Sequence, residues 1–148
     1  MFSTIKKWFK SSEPEKVLEK TDHVTAAMVL MLEVAWSDHN IEIAEEQTIL
    51  MAIQTSFDLT EQEAKNRLID AKALHHESVG SYEFTTLINN QLSYEEKTQI
   101  IQTLWKISNS DQHIDQWEEH AIRKIADLLY IDHQDFIDTK IKTKQEKD

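Results

Sequence analysis

Apolar residues recur every three to four positions along most of the chain, with polar and charged residues between them. This spacing is typical of amphipathic α-helices, which bury one side and expose the other. Two capping-box patterns, in which Ser or Thr is followed three residues later by Glu, mark helix starts at Thr60 and Ser93. Asp132 is predicted to cap the last helix. The pattern predicts seven helices, over about 21–36, 43–56, 61–77, 82–91, 94–109, 116–130 and 133–142.

The first helix is predicted to bury a single stripe of its surface. Its apolar residues recur at i, i+3, i+4 and i+7, positions that fall on one face of a helix. The predicted stripe consists of Val24, Ala27, Met28, Met31, Leu32 and Ala35. Farther along the chain, Trp36, Trp105 and Trp117 lie at or beside the predicted core faces. We expect these tryptophans to pack in the core rather than to stack on a substrate.

Composition also indicates an all-helical fold. The 148 residues include one Gly, one Pro and no Cys, so residues that break helices are scarce and good helix formers are abundant. Without Cys the chain has no disulfide, no thiol catalyst and no zinc–thiolate site. A chain of this length is typical of one domain. We therefore predict an all-α, single-domain bundle of about seven helices.

Three regions are predicted along the chain: an N-terminal amphipathic segment and linker (1–16), a helical domain (17–142) and a disordered tail (143–148). In residues 1–10, four large apolar side chains lie on one side and three lysines largely on another. Such a segment either docks on the domain as a short helix, stays frayed, or makes peripheral contact with an anionic membrane. No apolar run reaches the ~20 residues that span a bilayer, and the N-terminus lacks signal-peptide order. The predicted location is cytoplasmic, with contact at the inner membrane left open.

The charge is strongly negative and unevenly distributed. The formal net charge is −11, and residues 11–139 hold nine Lys or Arg against twenty-five Asp or Glu, which gives −16. Such a surface repels phosphate backbones and attracts cations or basic proteins. We therefore predict no nucleic-acid binding. The expected partners are divalent cations or a basic protein, and self-association is left open.

Two acidic stretches repeat one pattern at an offset of seventy-three residues. The common pattern is D-x-x-I-(D/E)-x-x-E-E, and it joins the end of one predicted helix to the start of the next. The acidic positions are Asp38, Glu42, Glu45 and Glu46 in the first copy, and Asp111, Asp115, Glu118 and Glu119 in the second. Core positions repeat at the same offset. The sequence therefore predicts an internal duplication of an acidic helix-turn-helix unit, with the two turns on related surfaces.

Two interpretations of the acidic turns remain open. Asp115 and Glu118 form a capping-box pattern, and a helix N-terminus stabilises nearby carboxylates. Asp38 and Asp111 instead follow predicted helix C-termini, where the helix dipole disfavours an anion, so a bound cation or a turn hydrogen bond would have to compensate. Clustered carboxylates are ligands that calcium and magnesium prefer. The first turn is not an EF-hand, because Ile43 stands where that loop requires Gly.

Sequence motifs for catalysis are absent. The chain has no E-x-x-H, H-E-x-x-H or G-x-S-x-G motif and no Gly-rich phosphate loop. Di-metal oxidase, zinc protease, esterase and nucleotide chemistry therefore lack their characteristic residues. We predict no enzymatic activity, no catalytic residue and no organic cofactor.

The two acidic stretches and a segment between them resemble one known family. EVAWSDHNIEIAEEQTIL and LWKISNSDQHIDQWEEHAIRKIADLL are similar to the two halves of a TerB-like (tellurite resistance protein B) domain, and YEFTTLINNQLSYEEK is similar to its stand-alone bacterial members. The resemblance covers about 20–140. It implies a compact helical bundle, cytoplasmic or at the inner membrane face, linked to tellurite and other stress resistance. It also implies that a divalent cation such as calcium binds at the matching positions Asp38, Glu42, Glu45, Asp111, Asp115 and Glu118.

Two functions of different classes follow. The first is a non-enzymatic, cation-binding stress-response domain that holds calcium or magnesium at its two acidic turns. The second is a metal-independent interaction module whose acidic surface recruits a basic protein. Metal titration separates the two, because only the first predicts that metal stabilises the folded state.

Overall fold

The computed structural model describes residues 22–36, 41–77, 81–108 and 116–147, and these residues are helices joined by short connections. The all-α prediction is confirmed, and each described helix begins within about two residues of its predicted start. The helices are α1 (His23–Ala35), α2 (Ile43–Phe57), α3 (Glu61–Glu77), α4 (Tyr82–Gln91), α5 (Tyr94–Ser108), α6 (Gln116–Leu128) and α7 (His133–Lys147).

Local side-chain hydrogen bonds start several of these helices. Asp22 caps α1, since its Oδ1 accepts the N–H of Thr25 at 2.8 Å. At the start of α3 the Thr60 Oγ1 accepts the N–H of Glu63 at 3.1 Å, and the Glu63 carboxylate accepts the N–H of Thr60 at 3.0 Å. Asp132 accepts the N–H of Gln134 at 2.9 Å before α7. The predicted caps at Thr60 and Asp132 are therefore confirmed.

The bundle is built around α1. Eleven of its thirteen residues are buried, and it packs against α2, α3, α4, α5 and α6. The prediction of one buried stripe was too narrow, because Val29 and Leu30, which lie outside that stripe, are 2% and 0% exposed. A helix that is covered on every side gains burial from all its apolar residues and has no polar face.

A third helix packs on each copy of the helix-turn-helix unit, α3 on α1 and α7 on α5. The two three-helix units are α1–α3 and α5–α7, and α4 joins them. In the first unit Lys72 of α3 pairs with Glu46 of α2 at 3.1 Å. In the second unit Lys140 of α7 pairs with Glu119 of α6 at 2.7 Å, and Glu46 and Glu119 are equivalent positions of the repeat.

The two units pack through equivalent surfaces, and their first helices, α1 and α5, run in the same direction. Between the units, α1 contacts α5 and α6, and α2 contacts α5. Hydrogen bonds from Ser93 are the main cause that lowers the pKa of Glu96, near the start of α5, and His23, the first residue of α1, contributes to the same shift. Since α1 and α5 pack together and begin at the same end, their C-terminal ends lie toward the opposite end. The helix ends that flank the two acidic turns therefore share one end of the bundle.

The last helix is longer than predicted. The sequence indicated an end near residue 142 and a disordered tail, whereas α7 continues to Lys147. Thr143 is only 5% exposed, its Oγ1 accepts a hydrogen bond from Gln102 of α5, and it donates to the carbonyl of Thr139 at 2.9 Å. The sequence did not predict this contact with α5, because the tail is polar in composition. Residues 1–16, the predicted amphipathic segment and linker, lie outside the described residues, and the domain boundaries stay a prediction.

The tryptophans do not share one environment. Trp105 is fully buried, as predicted, but Trp36 is 42% exposed and Trp117 is 61% exposed. The expectation that all of them pack in the core was wrong for Trp36 and Trp117, which lie at helix ends where fewer helices cover them. Within the part of the chain that the structure describes, no helix is both long and apolar enough to cross a membrane.

Candidate functional site

Three of the six predicted cation ligands lie within the described residues. Glu42 and Glu45 lie at the start of α2, and Glu118 lies at the start of α6. Asp38, Asp111 and Asp115 lie outside the described residues. Among residues 22–36, 41–77, 81–108 and 116–147, no group of three or more His, Cys, Asp or Glu side chains is placed to hold a metal ion. The predicted site is therefore only partly in view, and the metal prediction is untested.

The start of α2 shows how the first acidic turn leads into its helix. Glu42 has extended backbone angles and precedes the first helical residue. Its N–H donates to Oε1 of Glu45 at 3.0 Å, which is half of a capping box. Glu42 is exposed, whereas Glu45 is only 5% exposed. One carboxylate of this turn thus faces solvent, and the next points into the protein.

Four of the described helices have Glu as their third residue: Glu45 in α2, Glu63 in α3, Glu96 in α5 and Glu118 in α6. Glu63 and Glu96 are exposed, and each accepts the N–H of the residue before its helix, Thr60 or Ser93, at 3.0 and 2.9 Å. These hydrogen bonds lower the pKa of both carboxyls. Capping by a third-position Glu therefore does not require burial in this protein.

Glu45 and Glu118 differ from that pair. They are 5% and 4% exposed, and they are the two buried carboxylates among the residues that the structure describes. They also occupy equivalent positions of the two acidic stretches, seventy-three residues apart. Transfer of a carboxylate from water into a protein interior costs several kcal/mol. Capping alone does not explain why carboxylates are buried at two equivalent positions despite this cost. Glu45 and Glu118 are therefore the strongest site candidates.

The next carboxylate in each copy has a different role. Glu46 and Glu119 are half-buried and pair with Lys72 and Lys140 of the third helix in their units. The hydrogen bond from Lys140 is the largest cause that lowers the pKa of Glu119. Each of these two carboxylates is therefore already paired with a lysine of the third helix in its unit. The sequence pattern alone did not distinguish them from Glu45 and Glu118.

A polar cluster that sequence reasoning missed lies beside α1. His75 Nε2 of α3 and Glu33 Oε2 of α1 are 3.1 Å apart. The hydrogen bond from His75 is the main cause that lowers the pKa of Glu33, and Lys124 of α6 contributes to the same shift. Glu33 and His75 are forty-two residues apart, and no periodicity links them.

Replacing Glu33 by Gln should reduce the loss of stability in acid. The pKa of Glu33 is lowered from 4.5, so the stability it contributes is complete above that pH and is lost as the pH falls through the folded-state value. We expect the free energy of unfolding of Glu33→Gln to depend less steeply on pH below about pH 4.5. His75→Gln should have the same effect, because it removes the main cause. Urea unfolding across this range would contradict the prediction if both variants paralleled the unaltered protein.

The fold and the paired acidic helix starts define an all-helical domain made of two related three-helix units, each with a buried carboxylate at the start of its second helix. The chain belongs to the family described as tellurite resistance protein TerB, whose family model matches residues 24–141. That match runs from α1 into α7 and includes both acidic stretches, which confirms the resemblance noted from the sequence. Comparisons with curated proteins and with solved structures found no match.

Proposed function

We propose that this protein is a non-enzymatic, cytoplasmic stress-response domain that binds a divalent cation, calcium or magnesium, at its two acidic turns. The burial of Glu45 and Glu118 at equivalent positions carries the proposal. A bound cation would offset the cost of burying these carboxylates, and oxygen ligands suit both metals. Membership of a tellurite-resistance family is consistent with a role in stress.

Buried and exposed residues of the two turns would both supply ligands to the cation. Glu45 and Glu118 would supply oxygen ligands from the protein side, and both lie in the first turn of a helix that packs on the core. Glu42, which is exposed, would supply one from the solvent side, together with the sequence-predicted ligands Asp38, Asp111 and Asp115. A cation bound there would supply positive charge between a helix C-terminus and the next helix N-terminus. It would therefore stabilise the folded state rather than drive a reaction.

Calorimetric titration of the full chain with calcium, magnesium and manganese tests the proposal. A ligand that binds only the folded state stabilises it by about 2.7 kcal/mol at a concentration one hundred times its Kd. We expect Glu45→Gln and Glu118→Gln to abolish the metal-induced rise in melting temperature. Glu63→Gln and Glu96→Gln are matched controls, since they change the same residue type at the same helix position and should preserve the rise. Equal behaviour of all four variants would contradict the proposal.

Stability measurements in the presence of chelator distinguish metal ligands from structural residues. In metal-free buffer, Asp38→Asn and Asp111→Asn should not lower stability, because each removes a negative charge that follows a helix C-terminus, an effect of about 0.3–1 kcal/mol. Asp115→Ala should cost about 0.5–2 kcal/mol with or without metal, because the sequence predicts Asp115 as the N-cap of α6. If the first two variants lose stability in chelator as the third does, these aspartates are structural turn residues.

A second candidate is a metal-independent module that recruits a basic protein. The formal charge of −16 over residues 11–139 favours this function, because such a surface attracts cationic partners at low salt. It predicts salt-sensitive association in the presence of chelator and no heat on metal titration. The calorimetric experiment therefore separates the two functions.

A further inference from the structure

The solvent side of α2 carries no charged residue. Glu45 and Glu46 are the two acidic residues of this helix, and they lie on other sides, because Glu45 is buried and Glu46 pairs with Lys72 of α3 at 3.1 Å. Two of the exposed residues are large and apolar, since Ile43 is 79% exposed and Met51 is 69% exposed. We call the exposed residues of α2 the neutral face, and they are Ile43, Ala44, Gln47, Met51, Thr55 and Ser56.

The equivalent helix of the second unit shows that the fold does not require this neutrality. The offset of seventy-three residues carries Met51 of α2 onto Lys124 of α6, and α6 exposes Arg123, Lys124 and Asp127. Each other described helix that has exposed residues also exposes at least one charged residue. The neutral face is therefore a feature of α2 itself and not of the repeated unit.

The charge of the chain restricts where a second copy can make contact. With a formal net charge of −11, two copies repel each other over most of their surfaces. A two-fold interface brings the same patch of both copies face to face, and like charges that meet in an interface oppose association. Among the described helices, α2 presents the surface that meets this requirement, and its two large apolar side chains gain burial from the contact.

We propose that this protein forms a two-fold dimer through the neutral face of α2, with the two α2 helices antiparallel. Glu42 is exposed at the start of the helix, and parallel helices would place the two copies of Glu42 side by side. Antiparallel helices of fifteen residues separate them by about 22 Å, which exceeds the screening length of about 8 Å at physiological salt. This inference does not depend on cation binding.

Sedimentation equilibrium of the full chain tests the proposal. We expect a monomer–dimer equilibrium, and we expect Met51→Lys to raise its Kd by about tenfold or more, because two-fold symmetry brings two new lysines together in the interface. Tyr82→Lys is the matched control, since Tyr82 of α4 is 71% exposed and its substitution changes the net charge equally. The Kd of Tyr82→Lys should stay close to that of the unaltered protein.

Salt and cross-linking test the geometry of the same dimer. Added sodium chloride should lower the Kd, because it screens the repulsion between the acidic surfaces outside the contact. The chain has no Cys, so Met51→Cys introduces a single thiol. We expect mild oxidation to convert Met51→Cys to a covalent dimer and to leave Tyr82→Cys monomeric.

Two results would overturn the proposal. The first is a chain that stays monomeric up to about 1 mM, where even a weak dimer is populated. The second is a dimer whose Kd is the same in Met51→Lys as in the unaltered protein, which would place the contact on another surface. Thermal melts show whether each variant is folded, and Gln47→Lys provides a second substitution on the neutral face with the same expected rise in Kd.

Discussion

Replacing Trp105 by Ala should lower the free energy of unfolding by about 3–5 kcal/mol, the typical cost of removing a large aromatic side chain from a core. Trp105 is fully buried, its ring lies 5.4 Å from that of Phe136 in α7, and its Nε1 donates to Thr139 Oγ1 at 3.1 Å. The substitution opens a cavity between α5 and α7 and leaves the Thr139 hydroxyl without this donor.

Trp117→Ala is the matched control for this effect. Trp117 is 61% exposed, and exposed substitutions usually change stability by no more than about 0.5 kcal/mol. Urea unfolding followed by far-ultraviolet circular dichroism measures both variants. Equal losses would show that Trp117 is buried in solution and would contradict the environment described for it.

Replacing Leu30 by Ala should cost about 2–5 kcal/mol, as expected for a buried leucine. Leu30 is 0% exposed although it lies outside the stripe that periodicity predicted for α1. Leu32, which is inside that stripe and 1% exposed, provides the matched comparison. We expect Leu30→Ala and Leu32→Ala to destabilise the protein by similar amounts.

If α1 were buried on one face only, we would expect a different result. In that case Leu30 would face solvent, and its substitution would change the free energy of unfolding by no more than about 0.5 kcal/mol. A large loss for Leu32→Ala together with a negligible loss for Leu30→Ala would therefore contradict the central position of α1. Chemical unfolding of the two variants under identical conditions distinguishes these outcomes.

The candidate site was partly visible in the sequence. The repeated acidic pattern identified Glu45 and Glu118 as equivalent residues, because an offset of seventy-three positions can be read directly. It did not reveal that these two are buried while Glu63 and Glu96 are exposed. All four have the same local motif, a glutamate at the third position of a helix. The difference depends on which neighbouring helix covers each helix start.

Local interactions explain what the sequence by itself determined. Helix starts at Thr60 and Ser93 depend on hydrogen bonds between residues three positions apart, and the scarcity of Gly and Pro favours helix throughout. The sequence therefore determined the all-α class, the seven predicted helices and the duplication. Only the tertiary structure decided that α1 is covered on all sides, that Trp36 and Trp117 stay exposed, and that Glu33 meets His75. These features depend on contacts between residues far apart in the chain, and periodicity within one helix carries no information about which other helices cover it.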